Sequence, residues 1–154
     1  MTSLCCDVLT VLRGKTLATA ESCTGGGIGA AITAVPGSSA VFKGGIISYT
    51  DWVKHICLGV DQAVLDKYGA VSAPVAGAMA SGVRAVMQTD VAVSVTGLAG
   101  PGGDEFGHPV GTVCIGYSDK RRTLAKEFWF EGDREAVRNQ AIRAALELIL
   151  EVNA

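Results

Sequence analysis

Four groups of residues have the types and spacing to do chemistry. The first is the run Ala20-Glu21-Ser22-Cys23-Thr24-Gly25-Gly26-Gly27. An apolar stretch, Leu17-Ala18-Thr19-Ala20, leads into it, and a helical pattern, Ile28-Gly29-Ala30-Ala31-Ile32, leads out. The run therefore reads as strand, tight turn and first turn of a helix. Glycines let a ligand approach the backbone, and free N–H groups at a helix start favour an anion. A hydroxyl and a thiol at such a chain reversal suit a nucleophile or a binding group. Ser22 or Thr24 is equally suited to capping the helix. The run is not the G-x-S-x-G elbow, because Ala20 and Thr24 flank Ser22 at the glycine positions. Nor is it a P-loop, because no Gly-Lys-Ser/Thr follows.

The second group is Ser38-Ser39, in a Pro-Gly-Ser-Ser loop whose composition also suits a plain turn. The third is Tyr49 with Lys54, five residues apart across a strand end and a helix start. A lysine serves as a general base only when desolvation or positive charge lowers its pKa, and the start of a helix acts in that direction. Elsewhere such a lysine is an ordinary solvated side chain. The fourth is Arg134 with Arg138, at i and i+4 early in a helix, a spacing that suits a phosphate clamp or a solvated face. His55 and His108 form no recognisable Ser-His-Asp set, so a serine nucleophile would find its best base in a lysine.

Composition narrows the setting. The 154 residues are 49% hydrophobic and 18% charged, enough for a core of ordinary size. A formal charge of −2 and a pI near 5.6 argue against nucleic acid as partner. Mean hydropathy is positive, but no apolar run approaches the ~20 residues of a membrane span. Five cysteines without a C-x-x-C pair, and no secretory leader, point to a reduced, cytoplasmic location. The spacing of histidines and cysteines offers no metal site.

These residues need elements to hold them. Leu4, Val8, Val11 and Leu12 predict an opening helix that Gly14 ends. Leu17–Ser22 reads as a strand, 26–35 as a helix, 36–39 as a loop and Phe42–Thr50 as a strand, where Gly44 and Gly45 weaken pairing or mark a bulge. Asp51 is placed to cap a helix over Trp52–Leu58, and a short helix over Gln62–Tyr68 breaks at Gly69. Ser72-Ala73-Pro74 opens a further helix, with Val75, Met79, Gly82, Val83 and Val86 on one face. Val91–Val95 reads as a strand covered on both sides. Residues 96–109 form a Gly- and Pro-rich loop, long enough to be functional or mobile. Val110–Tyr117 and Leu124–Phe130 read as a hairpin turning at 118–122. Gly132-Asp133 starts the last helix, with Val137, Ala141, Ala144, Leu148 and Val152 inward. The pattern predicts one domain over 1–154. Its class is three-layer α/β/α, with a mixed, mostly parallel sheet closed by an antiparallel hairpin.

The motifs Ala-Glu-Ser-Cys-Thr-Gly-Gly (20–26), Pro-Gly-Ser-Ser (36–39), Ser-Tyr-Thr with Lys54 following, Gly-Ala-Val-Ser (69–72), Thr-Gly-Leu-Ala-Gly-Pro-Gly-Gly (96–103), Pro-Val-Gly-Thr-Val (109–113) and Gly-Asp-Arg (132–134) resemble the CinA C-terminal domain family. They come in the family's order and span Leu17 to about Gln140. The chain has no room for the molybdopterin-binding-like domain that precedes this one in many members, so it resembles the stand-alone form.

The resemblance implies an amidohydrolase that converts nicotinamide mononucleotide to nicotinate mononucleotide and ammonia in NAD salvage, by a Ser/Lys pair and without metal or cofactor. Lys54 matches the family's base and Tyr49 its motif tyrosine. Ser22 and Ser39 both match motif serines and both stay open as the attacking hydroxyl, with a lean to Ser39 and with Ser22 aiding the proton path or the oxyanion. Arg134, and more weakly Arg138, match substrate-holding arginines. Thr24, Gly25 and Gly26 are expected to contact the substrate, with the phosphate on their helix start or at Arg134. Gly97 and Gly100 are also expected there, in a loop 97–108 that covers the ring. A homo-oligomer is expected, with no membrane partner. Two other readings stand beside this one: Cys23 as a thiol nucleophile, and a nucleotide-binding or regulatory module of the competence or DNA-damage response that turns nothing over.

Overall fold

The computed structural model describes residues 1–154. A five-stranded sheet has the order β2-β1-β3-β4-β5, where β1 is Leu17–Glu21, β2 Phe42–Ile47, β3 Val91–Gly97, β4 Thr112–Ser118 and β5 Thr123–Trp129. β1 pairs in parallel with β2 and β3; β3-β4 and β4-β5 are antiparallel. The α/β class and the closing hairpin are those read from the sequence.

Six helices cover the sheet: α1 Thr2–Val11, α2 Gly27–Thr33, α3 Asp51–Leu58, α4 Gln62–Tyr68, α5 Ala73–Met87 and α6 Arg134–Asn153. Strand side chains alternate between faces, and here the two faces differ in size. Leu17, Val91, Val93 and Val95 pack with Val8 of α1 and Leu12 at its C-cap, Ile28 and Ile32 of α2, and Val137 and Ala141 of α6. The other face presents Ala18, Ala20 and Ala92 to Leu58, Val75, Met79 and Val83. Small residues let α5 lie close: Ser94 Oγ donates to the Ala76 carbonyl at 2.6 Å, and a Cβ on Gly116 would strike that same carbonyl. Val86, expected on this inner face, is 55% exposed.

Two boundaries carry the site. β2 ends at Ile47 rather than Thr50, which leaves Ser48 and Tyr49 as irregular backbone. The pairing register slips between Leu17/Phe42 and Ala18/Gly44, so the bulge anticipated at the glycines lies there. The cap of α3 is Thr50, whose side chain accepts from Val53 N, and Asp51 is the first helical residue. Ser72 caps α5 as expected, and Asp133, expected at the start of α6, is its cap.

Candidate active site

The carboxyl ends of β1 and β3 open onto a cavity of about 590 Å³, at the edge where parallel sheets commonly bind ligands. Its wall includes Ser22, Tyr49, Lys54, Gly97, Gly100 and Arg134. Ser22 is held there by the sheet, its N–H donating to the Val95 carbonyl at 2.9 Å.

Lys54 stands in the fourth position of α3 and is 1% exposed. Its Nζ lies 3.2 Å from Ser22 Oγ, 2.9 Å from the Ser48 carbonyl and 3.4 Å from the Tyr49 carbonyl. Burial is the largest effect on this amine and lowers its pKa from the usual 10.5; Asp51 and Cys23 oppose that more weakly. No carboxylate pairs with it among the ion pairs of the chain. The two carbonyls can only accept. In the neutral amine they take its two N–H groups and leave the lone pair facing the Ser22 hydroxyl.

The turn that carries Ser22 is braced from both sides. Glu21, 2% exposed, points away from the cavity and caps α2. Its carboxylate accepts from Thr24 Oγ1 at 2.7 Å, Ile28 N at 2.8 Å, Gly29 N at 3.0 Å and Thr19 Oγ1 at 3.2 Å. From α6, Arg138 donates to the Cys23 carbonyl at 2.9 Å and to the Thr24 carbonyl at 3.2 Å. Neither the N–H of Cys23 nor that of Thr24 is taken up by another residue of the chain.

Several expectations change in this light. The start of α2 is not open to a phosphate, because Glu21 already supplies the anion there; Thr24, Gly25 and Gly26 do not line the cavity. Arg134 and Arg138 do not form one clamp. Arg134 faces the cavity, donating to the Gly100 carbonyl at 2.7 Å and to Tyr49 Oη at 3.2 Å, whereas Arg138 is spent on the turn. Ser39 lies in a 3-10 turn, Ser38–Ala40, ahead of β2. Lys54 follows the far end of that six-residue strand, about 17 Å along it. Within one chain no hydrogen bond joins Ser39 to Lys54, its carbonyl accepts from Lys43 instead, and it does not line the cavity. The lean to Ser39 therefore has no support in this geometry; of the two serines, Ser22 is the one beside Lys54. Cys23 is 5% exposed, and burial pushes its thiol up to about 11, so it is not poised as a thiolate.

The loop between β3 and β4 forms the outer wall. Asp104 knots it, pairing with His108 Nδ1 at 2.6 Å and accepting from Phe106 N at 3.1 Å and His108 N at 3.0 Å. The Phe106 ring lies over Gly69, where a Cβ would come within 2.6 Å of it. Sequence reasoning missed Glu21, Ser48 and Phe106. The signal for Glu21 was present: an acid ending an apolar strand, three residues before a threonine.

A family model described as the CinA C-terminal domain matches residues 3–153. The chain belongs to the CinA C-terminal domain family. Among relatives, "Nicotinamide-nucleotide amidohydrolase PncC" of Pseudomonas putida is 47% identical over 134 residues, 87% of this chain and 84% of that protein. A "CinA-like protein" of Synechococcus sp. (strain CC9902) is 48% identical over 136 residues, 87% of this chain but 32% of that protein. The chain thus spans about a third of the CinA-like relatives it matches. The crystal structure of the competence damage-inducible protein A of Klebsiella pneumoniae superposes with a TM-score of 0.94 at 37% identity, covering 97% of this chain and 94% of that one. The crystal structure of competence/damage inducible protein CihA from Agrobacterium tumefaciens gives a TM-score of 0.94 at 37% identity, covering 99% of this chain and 95% of that one.

Proposed function

We propose that this chain is an amidohydrolase that releases ammonia from the carboxamide of nicotinamide mononucleotide, with Ser22 as nucleophile and Lys54 as general base. One observation carries the reading: a buried, carboxylate-free lysine amine 3.2 Å from a serine hydroxyl on a cavity wall. The substrate comes from the name of the Pseudomonas putida relative.

The neutral Lys54 amine takes the Ser22 hydroxyl proton as Oγ bonds to the carboxamide carbon. The N–H groups of Cys23 and Thr24 are the donors nearest in sequence to the developing oxyanion, and one such donor is typically worth ~3 kcal/mol. Lys54 passes its proton to the departing nitrogen as the C–N bond breaks, and ammonia leaves. Water then gives a proton to Lys54 and adds to the acyl ester; Lys54 returns that proton to Ser22 Oγ as the ester bond breaks, and nicotinate mononucleotide leaves. Arg134 is the cation on the cavity wall suited to the phosphate. The loop with Phe106 shields the ring from water.

Ammonia release by Ser22→Ala, Ser39→Ala and Lys54→Met tests the reading. Ser22→Ala and Lys54→Met are expected to lose about 10³-fold or more in kcat, while Ser39→Ala stays within a few-fold of the parent. A dead Ser39→Ala beside an active Ser22→Ala would overturn the assignment. A parent that binds the nucleotide and releases no ammonia would leave a binding module.

A further inference from the structure

Ser48 Oγ is the one buried side-chain polar atom of the molecule with no hydrogen-bond partner. Ser48 is 0% exposed, and its carbonyl is the shortest contact of Lys54 Nζ, at 2.9 Å. Its N–H donates to the Glu21 carbonyl at 2.8 Å, so the backbone is pinned on both sides and only the hydroxyl is free to turn. A buried hydroxyl without a partner costs about 1–3 kcal/mol, and such an exception calls for an explanation.

The amine supplies one. A lysine ammonium has three N–H groups to place. Ser48 O and Ser22 Oγ take two. The third has the Tyr49 carbonyl at 3.4 Å, at the long limit, and Ser22 Oγ lies 3.4 Å from that same oxygen. The neutral amine, with two N–H groups, needs no third acceptor.

We propose that Ser48 is a positioning residue for Lys54: its hydroxyl, idle beside the neutral amine, turns to accept the extra N–H when Lys54 takes up the proton of Ser22. This rests on the Ser22/Lys54 reading above. The motion this requires is a rotation about χ1 from one staggered well to another. Ser48 therefore acts on the ammonium alone, and so sets the pH at which the base works. Of the titratable and charged groups that share the cavity wall with this amine, Asp51 of α3 and Cys23 of the turn act on it directly, and Asp66 of α4, Asp104 and Glu105 of the outer loop and Arg134 of α6 complete the set. Tyr49 adds its phenol, α5 brings no titratable side chain to the wall, and Glu21 is turned to α2.

The test is the pH profile of kcat/KM for ammonia release, compared among parent, Ser48→Ala, Ser48→Cys and Ser48→Thr, with melting temperatures as a control for folding. Loss of the acceptor disfavours the ammonium, so the acid limb of Ser48→Ala moves to lower pH by about one unit, the worth of one hydrogen bond to a charged group. A weaker base lowers the plateau kcat several-fold while KM holds. Ser48→Cys, of similar shape with a poor acceptor, moves the same way; Ser48→Thr restores both limb and plateau. Melting temperatures of Ser48→Ala at or above the parent's are expected, since an unpaired hydroxyl is removed. Ala and Cys variants with the parent's limb and plateau would overturn the role of Ser48 and leave the dyad standing. Full activity in Lys54→Met would instead sink the dyad itself.

Discussion

Replacing Glu21 by Gln changes one oxygen to an NH2 group and nothing else in shape, yet the site around it cannot accept the exchange. One carboxylate oxygen receives Ile28 N–H and the Thr24 hydroxyl; the other receives Gly29 N–H and the Thr19 hydroxyl. A main-chain N–H can only donate. Whichever way the amide is turned, its NH2 therefore meets either Ile28 N or Gly29 N, donor against donor. At least one hydrogen bond to a charged acceptor is lost and one buried donor is stranded. With 2% exposure, water cannot repair the loss. The expected cost is about 2–3 kcal/mol, or roughly 5–10 °C in melting temperature for a chain of this size. The peptide after Glu21 carries Ser22, so kcat falls with stability. Urea and thermal unfolding of Glu21→Gln and Glu21→Ala, followed by circular dichroism, measure the first effect, and ammonia release at a temperature where the variant is folded measures the second. Parent-like melting in Glu21→Gln would refute the view that this carboxylate occupies the start of α2. It would then reopen that helix start as a phosphate site.

Two further outcomes follow from the same geometry. Arg138→Ala removes the donors to the Cys23 and Thr24 carbonyls; it is expected to cost about 1–3 kcal/mol in urea unfolding and to lower kcat about tenfold, with a smaller effect on KM than Arg134→Ala, whose side chain faces the cavity. Cys23→Ser is expected to keep ammonia release within a few-fold of the parent, and iodoacetamide to label the exposed Cys6 and Cys57 without inactivating the enzyme. Loss of activity on either treatment would restore the thiol reading.

The elements were legible where periodicity was strong. The 62–68 helix, the capped start of α5 and the strands flanking the 118–122 turn follow directly from spacing and cap chemistry. The pairing of Ser22 with Lys54 was half legible: both residues stood out, but no pattern in one sequence says which of two serines the lysine reaches. The answer lies in the parallel topology, which sends Ser39 to one end of β2 and Lys54 to the other. Glu21 escaped notice because an acid at a strand end usually faces solvent, and only the packing of α2 over it shows its carboxylate turned inward. Arg138 misled for the converse reason. Its spacing to Arg134 suggested a shared ligand, and the nearest acceptors turned out to be the chain's own carbonyls.

The account depends above all on Lys54 being neutral in the working enzyme. The direct measurement is an NMR pH titration of the lysine side-chain Cε signals, with Lys54 assigned by its absence in Lys54→Met. Burial disfavours the ammonium, so the Lys54 midpoint is expected on the acid side of the usual 10.5, and ammonia release should rise with pH along that same curve as the proton leaves. A Lys54 signal titrating with the exposed lysines, or activity that falls as the amine loses its proton, would contradict it.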